Sequence, residues 1–481
     1  MSIDNSNLKQ QTKKGLYWSF FNNTATQLMQ FVVGFVMARL LSPEDYGITA
    51  LPAVFMAVAG IFISSGFGQA LVRKPEITEK DLSTSFYYSI VMGLFMYTIL
   101  FFAAPLIADF YNTPVLVPLI RVTALNFLWG PLGTPQGVIL QRRLDFKTPA
   151  RISIINKIVS AIIGIAVAYA GYGLWALVVS GMSSSLLGLI QTWWVVKWVP
   201  KERFSRESFK YLWNYGNKMI GANLIETLYL NVAPVFIGKV YSPATLGMFN
   251  RADGYAALPV HQLMGPLQGV TFPVLSKVQN DKDLLERSYR KMMKVSSFIA
   301  FPVLFLLAAL ARPLVIVMVT EKWSDCILML QILCLAKMWW PIMSLNRVAL
   351  QVIGRSDLYF KLELIKRSVN VIILIVALQF GIIAFCLANL LEISVAMIFN
   401  TYYTGKHLNV GLFKQLRDVG PSYLLALTMF VIVYVSTLFI SNMYLQILVG
   451  VTIGLTIYLG GSILFKFSEL DDVKYMIFKK K

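Results

Sequence analysis

With 481 residues, 57% of them hydrophobic and only 14% charged, the chain is too apolar to be a soluble protein. Its net charge of +19 would suggest nucleic acid in a soluble domain, but here the cations gather in alternate gaps between apolar runs. That places them on one membrane face and excludes a nucleic-acid footprint.

Apolar runs of about 20 residues, the length that crosses a hydrocarbon core of about 30 Å, recur from end to end. They begin near Leu16, Gly47, Ser83, Pro114, Ile152, Gly173, Tyr211, Gly247, Lys294, Ile327, Leu362, Gly381, Gly420 and Met443. With no water in the bilayer core these runs must be helices, since they are too long and too evenly apolar for the alternating strands of a barrel. The fold class is therefore an all-α polytopic membrane protein of about fourteen transmembrane helices. The first run, residues 16–41, is too long for a cleavable signal and reads as a span.

Most of the 43 Lys and Arg lie at the N-terminus, at the C-terminus and in every second gap. The gaps concerned hold Arg73 and Lys74, Arg142 and Arg143, Lys201 and Arg206, Arg287 and Lys294, Lys366 and Arg367, and Lys414 and Arg417. The intervening gaps carry only Arg39, Lys239, Arg312 and Lys322. The positive-inside rule then puts both termini and the basic gaps in the cytoplasm. Three cysteines, Cys326, Cys334 and Cys386, build no disulfide framework, and neither they nor His261 and His407 show metal-ligand spacing, so no cofactor is expected.

The chain repeats itself at an offset of 200 residues. Arg39-Leu40-Leu41-Ser42-Pro43-Glu44-Asp45-Tyr46-Gly47 follows the first span, and Lys239-Val240-Tyr241-Ser242-Pro243-Ala244-Thr245-Leu246-Gly247 follows the seventh. Asn23 matches Asn223, and Gly66-Phe67-Gly68-Gln69 is echoed by Gly265-Pro266-Leu267-Gln268. An offset of six helices keeps both copies in the same orientation, a parallel repeat of the kind that places a transporter's substrate site between its halves. The expected organisation is two pseudo-symmetric six-helix lobes, 1–205 and 206–405, followed by two additional helices and a basic tail, 406–481.

Several short segments carry a family resemblance. They are Lys14-Gly15-Leu16-Tyr17-Trp18-Ser19, the Arg39 to Gly47 segment, Ala108-Asp109-Phe110-Tyr111, and Gln141-Arg142-Arg143-Leu144-Asp145-Phe146. Gly173-Leu174-Trp175-Ala176-Leu177, Phe272-Pro273-Val274-Leu275-Ser276 and Gly354-Arg355-Ser356-Asp357-Leu358 continue the set. Together they resemble the polysaccharide-exporter branch of the MOP (multidrug/oligosaccharidyl-lipid/polysaccharide) flippase superfamily, similar to teichuronic-acid and colanic-acid transporters. The resemblance implies a multi-pass protein of the bacterial cytoplasmic (inner) membrane with a central cavity lined by spans 1, 2, 7 and 8. It implies an undecaprenyl-diphosphate-linked oligosaccharide as cargo, membrane lipids as surroundings, alternating access, and H+ or Na+ as candidate coupling ions. It implies no enzyme activity.

A diphosphate crossing hydrocarbon needs a hydrated cationic route, and an ionisable residue inside a span costs roughly 2.5–3.5 kcal/mol unless it faces a cavity or a partner. Lys337 in span 10, Arg121 in span 4 and Arg251 in span 8 are the candidate headgroup ligands. Their alternatives are a carboxylate partner for Lys337, snorkelling for Arg121, and a local pair with Asp253 for Arg251. Asn23, Gln27 and Gln30 fall at i, i+4, i+7 on span 1 and form one polar stripe, which Asn223 and Thr227 repeat on span 7. Such amides bind sugar hydroxyls or glue helices together. Glu226 and His261 are candidate ion-coupling groups, with Glu392 a weaker third. Trp339 and Trp340 read as packing or interfacial anchors rather than sugar platforms.

The competing reading is a MATE-type ion-coupled drug or cation antiporter of the same superfamily, which calls for an acidic, aromatic cavity. A membrane-embedded glycan polymerase would need a sizeable outer loop with an acid/base pair. The longest such gap, residues 312–325, supplies none.

Overall fold

The computed structural model describes residues 5–478. Contacts divide the chain into two compact units, Met1–Gly247 and Met248–Lys481. The side chains of Asn23, of residues 265–268, of Ser356 and Asp357 and of most of residues 14–19 lie outside the described residues.

The first unit holds seven long helical segments. They are α1 (Asn5–Leu40), α2 (Pro43–Arg73), α3 (Glu79–Tyr111), α4 (Leu116–Arg142), α5 (Lys147–Tyr169), α6 (Trp175–Val196) and α7. The last of these, Arg206–Leu230, bends by 41° and continues as Val232–Val240. Helices α1 and α6 both pack on α5, while α4 and α7 both pack on α3, and α7 also packs on α2. The contact boundary thus leaves α7 with the first unit.

Several helices start at side-chain caps. Ser42 Oγ accepts the Asp45 N–H at 3.1 Å and the Asp45 carboxylate accepts the Ser42 N–H at 2.8 Å, a capping box that opens α2 ahead of Pro43. In the second copy of the repeat Ser242 Oγ accepts the Thr245 N–H at 3.2 Å, so the two Ser-Pro openings are built alike. They also meet. A Cβ added at Gly47 would lie 1.6 Å from the Pro243 carbonyl oxygen, and one added at Gly247 would lie 2.0 Å from that of Pro43. The two contacts are reciprocal, and only glycine allows two backbones so close.

The second unit takes in most of α8 (Pro243–Lys277), then α9 (Lys282–Ala309), a short helix Ala311–Val319, α10 (Cys326–Val352) and α11 (Ser356–Ala377). It ends with α12 (Ile382–Leu408), α13 (Leu412–Leu438), α14 (Met443–Leu464) and a terminal helix, Ser468–Phe478. Helix α9 is its axis, with 61% of its apolar stretch buried against 11% for α6 in the first unit. The two helices expected to belong to neither lobe pack here. Arg290 of α9 grips Asp418 of α13 with both its Nε (2.6 Å) and Nη2 (2.7 Å), and Tyr458 of α14 donates to the Phe298 carbonyl at 2.8 Å.

A polar knot joins α9, α10, α12 and α13. Asn346 Oδ1 accepts from Tyr289 Oη (3.0 Å), Thr404 Oγ1 (2.9 Å) and Gln415 Nε2 (3.0 Å), and Asn346 and Gln415 are wholly buried. Fully satisfied networks of this kind fix one packing, because any other register strands buried polar atoms.

Among the described residues ten helices are long and apolar enough to cross a membrane, or eleven if the bent α7 is one span. The count leaves out α1, α8 and α11, helices of 36, 35 and 22 residues.

Candidate functional site

The charged residues foreseen inside spans gather mainly where α8 meets α10. Lys337 Nζ lies 2.8 Å from Asp253 Oδ1, with the lysine side chain 12% exposed and the aspartate 38%. The carboxylate partner is therefore real, and it comes from α8. Arg251 and Asp253 stand two residues apart on a helix, a spacing that points side chains away from each other, so Asp253 turns to α10.

Arg251 lies over aromatic rings, its guanidinium 5.2 Å from the Trp323 centroid and 5.6 Å from that of Tyr255. Lys337 sits 5.1 Å from the Trp340 ring, which His261 meets edge-on at 5.5 Å. The seam thus holds two cations, one half-exposed carboxylate, an exposed imidazole and several aromatic faces. Asp253 and Trp340 matter here in a way their sequence positions did not show. The one signal available was an acid and a base two residues apart in an otherwise apolar span.

In the first unit the polar candidates are dispersed. Arg121 stacks on Phe101 at 4.1 Å and donates from Nε to the Phe101 carbonyl at 3.3 Å, so it ties α4 to α3. On α1, Gln27 is half-buried and Gln30 exposed, while on α7 Asn223 is half-buried and Glu226 exposed. Glu226 takes no ion pair among the described residues. Asn23 lies outside the described side chains. The structure brings Lys337, Arg251 and His261 to one seam, and it does not bring the amides of α1 or Glu226 into any hydrogen-bonded cluster among the described residues.

Residues 36–328 match the family described as polysaccharide biosynthesis protein. The chain belongs to that family. It is 25% identical over 357 residues to the teichuronic acid biosynthesis protein TuaB of Bacillus subtilis, covering 73% of this chain and 74% of the relative. It is 25% identical over 320 residues to the succinoglycan biosynthesis transport protein ExoT of Rhizobium meliloti, covering 66% and 65%. With the lipopolysaccharide biosynthesis protein WzxC of Escherichia coli the identity is 24% over 366 residues, covering 75% and 73%. Among solved structures the fold matches the lipid II flippase MurJ in an inward closed conformation, with TM-score 0.74 and 17% identity over 93% of this chain and 99% of the other. An inward-facing multidrug-resistance MATE transporter of the MOP superfamily matches with TM-score 0.60 and 15% identity over 80% and 96%. The protein is thus a polytopic helical membrane protein with the fold of the MOP superfamily.

Proposed function

We propose that this protein is a flippase that carries undecaprenyl-diphosphate-linked oligosaccharide repeat units across the bacterial cytoplasmic membrane for surface polysaccharide synthesis. The observation that carries the reading is the pair of in-span cations, Arg251 and Lys337, on the α8–α10 seam of a chain from a polysaccharide biosynthesis family. Cations at membrane depth mark a pathway for charge, and a diphosphate is a charge that hydrocarbon will not pass. The partly exposed Asp253 keeps Lys337 neutralised between cycles and yields it to the headgroup. Asp253, His261 and Glu226 are the groups that would couple transport to an ion.

The reading takes eleven spans with α1, α8 and α11 as fourteen, sets both termini in the cytoplasm, and moves the two repeats by alternating access. Gln27, Gln30 and Asn223 then serve the sugar portion of the cargo. The MATE-like antiporter reading is favoured by one observation, the aromatic and partly acidic character of the same seam.

Depleting the protein in its host and measuring lipid-linked oligosaccharide beside surface polymer tests the proposal. Intermediate accumulating on the inner leaflet with loss of surface polymer is the expected result, and unchanged pools together with ion-driven efflux of a cationic dye would overturn it. A Lys337→Glu, Arg251→Glu double variant that inserts normally and still exports would overturn the cation assignment alone.

A further inference from the structure

The first unit contains a cleft lined by none of the candidate transport residues. It measures 780 Å³ and lies between the last turns of α2 and the first turns of α7, on the face the charge pattern assigns to the cytoplasm. That volume falls within the usual range of small-ligand sites, about 300–1,000 Å³.

Its walls are held by backbone geometry. Helix α2 breaks at Ser65 and Gly66, consecutive residues with φ of 42° and 66°. The break presses on α7, where a Cβ at Gly216 would lie 2.2 Å from the Ser65 carbonyl oxygen. Beyond the break, the guanidinium of Arg142 donates to the carbonyls of Leu71 (3.0 Å), Val72 (3.2 Å), Lys74 and Pro75 (2.7 Å). It caps the end of α2 and fixes the chain that follows, as a cation at a helix C-terminus does.

The lining has a definite chemistry. Tyr211, Tyr215 and Lys218 fall at i, i+4 and i+7 on α7, with Asn214 between them, and face Arg73 across the cleft. Arg73 lies 5.5 Å from the Tyr215 ring. Lys74 sits 5.0 Å from the Tyr211 ring, but its charge is taken by the buried Asp81 at 2.7 Å. Arg73 and Lys218 have no ion pair among the described residues, and no carboxylate lines the cleft. A second cavity, of 500 Å³ in the other unit, shows the contrast. Its four cations from α9 face three carboxylates of the terminal helix, with Lys291 2.6 Å from Asp472 and Lys294 3.8 Å from Glu469. That cavity neutralises itself, whereas the α2–α7 cleft does not.

We infer that the α2–α7 cleft is a cytoplasmic-face binding site for a phosphate-bearing anion, with Arg73 and Lys218 on the phosphoryl oxygens and the Tyr211 and Tyr215 rings against the adjoining group. The same chemistry is offered by a lipid diphosphate headgroup or by a free pyrophosphate. The assignment to loading of the cargo rests on the flippase reading, while the anion site stands without it.

The test is equilibrium binding to the full chain in detergent, with farnesyl diphosphate, farnesol and inorganic pyrophosphate as probes. Wild type is compared with Arg73→Gln, Lys218→Gln and their double, and with an Arg287→Gln, Lys291→Gln double in the self-neutralised cavity. Each single change in the cleft is expected to weaken diphosphate binding by roughly 10-fold, the usual worth of one charge-assisted contact, and the cavity control to leave it unchanged. Preference for farnesyl diphosphate over pyrophosphate assigns the site to a lipid headgroup, and equal binding assigns it to the free anion. Binding retained in the Arg73, Lys218 double, or lost equally in the cavity control, overturns the site. Normal binding with unchanged lipid-linked oligosaccharide pools after depletion would instead overturn the flippase reading and leave the site standing. All four variants alter exposed or half-exposed side chains, and unchanged gel-filtration profiles verify their folding.

Discussion

The two units hold themselves together by different means. In the second, polar groups inside the helix packing are matched to one another: Lys337 to Asp253, Arg290 to Asp418, and Asn346 to Tyr289, Thr404 and Gln415. The first relies more on close backbone approach at glycine, with Gly47 and Gly247 set against Pro243 and Pro43, and Gly216 set against Ser65. Matched polar groups define one arrangement and penalise departures from it steeply. Glycine contacts forbid bulk and otherwise hold weakly. A unit built the second way is the easier one to bend, which suits the broken α2 and bent α7.

The comparison breaks most sharply at Asp253. Asp253→Leu strands Lys337, which is nearly enclosed, and is expected to destabilise the protein by about 3–5 kcal/mol, the cost of an orphaned buried charge. Lys337→Met strands the more exposed Asp253 and should cost less, and the combined variant should recover most of the loss. Apparent melting temperatures of the four proteins in one detergent measure this. Equal losses in both single variants, with no recovery in the double, would mean that the pair is not the partner each group needs.

Asn346→Ala comes next. It strands the buried Tyr289 hydroxyl, while Thr404 and Gln415 keep the Val410 carbonyl, and should cost about 1–3 kcal/mol, the usual loss for an unsatisfied buried group. In the first unit Gly47→Ala is the corresponding lesion. Its methyl would lie 1.6 Å from a carbonyl oxygen, so the backbone must move, at about 1–3 kcal/mol for overpacking. Gly247→Ala should behave alike if the two openings are related by a two-fold axis. A clear difference between the two would show that the symmetry is in the sequence and not in the packing.

Much of this was legible beforehand. Run length and hydropathy gave the helical membrane class, and the Ser-Pro openings gave the repeat, because capping residues act within one turn and so leave a local trace. For Lys337 the sequence leaves a headgroup ligand and a carboxylate partner both open, and it does not name the carboxylate. Asp253 lies 84 positions away in sequence, and helix periodicity says which face a residue occupies without saying what faces it. The cleft between α2 and α7 was hidden for the same reason. Its two walls are about 140 residues apart, and they meet because of two left-handed residues and a glycine that look unremarkable in a loop-poor chain. Arg121 shows the opposite case: a cation inside a span that the structure spends on stacking and on one carbonyl.

The smallest expected effect separates the basic-face connections of the two units. In the first, Asp145 accepts the Thr148 N–H at 3.0 Å and its hydroxyl at 2.6 Å just ahead of α5. Burial raises the Asp145 pKa, but the hydrogen bonds from Thr148 and the charge of Lys147 outweigh it and hold the carboxyl below its ordinary value. A depressed carboxylate contributes stability above its unfolded pKa and loses it as the pH falls through the folded one. Asp145→Ala should therefore cost about 1 kcal/mol at neutral pH, like the loss of a helix cap, and the difference from wild type should shrink on acidification below the ordinary carboxylate range. The bidentate Arg290–Asp418 grip in the second unit spans two helices rather than one turn, so Asp418→Ala should cost more at neutral pH than Asp145→Ala. Melting temperatures of both variants across an acid titration decide the matter. A pH-independent gap for Asp145→Ala would mean that the carboxylate's charge has no part in holding the start of α5.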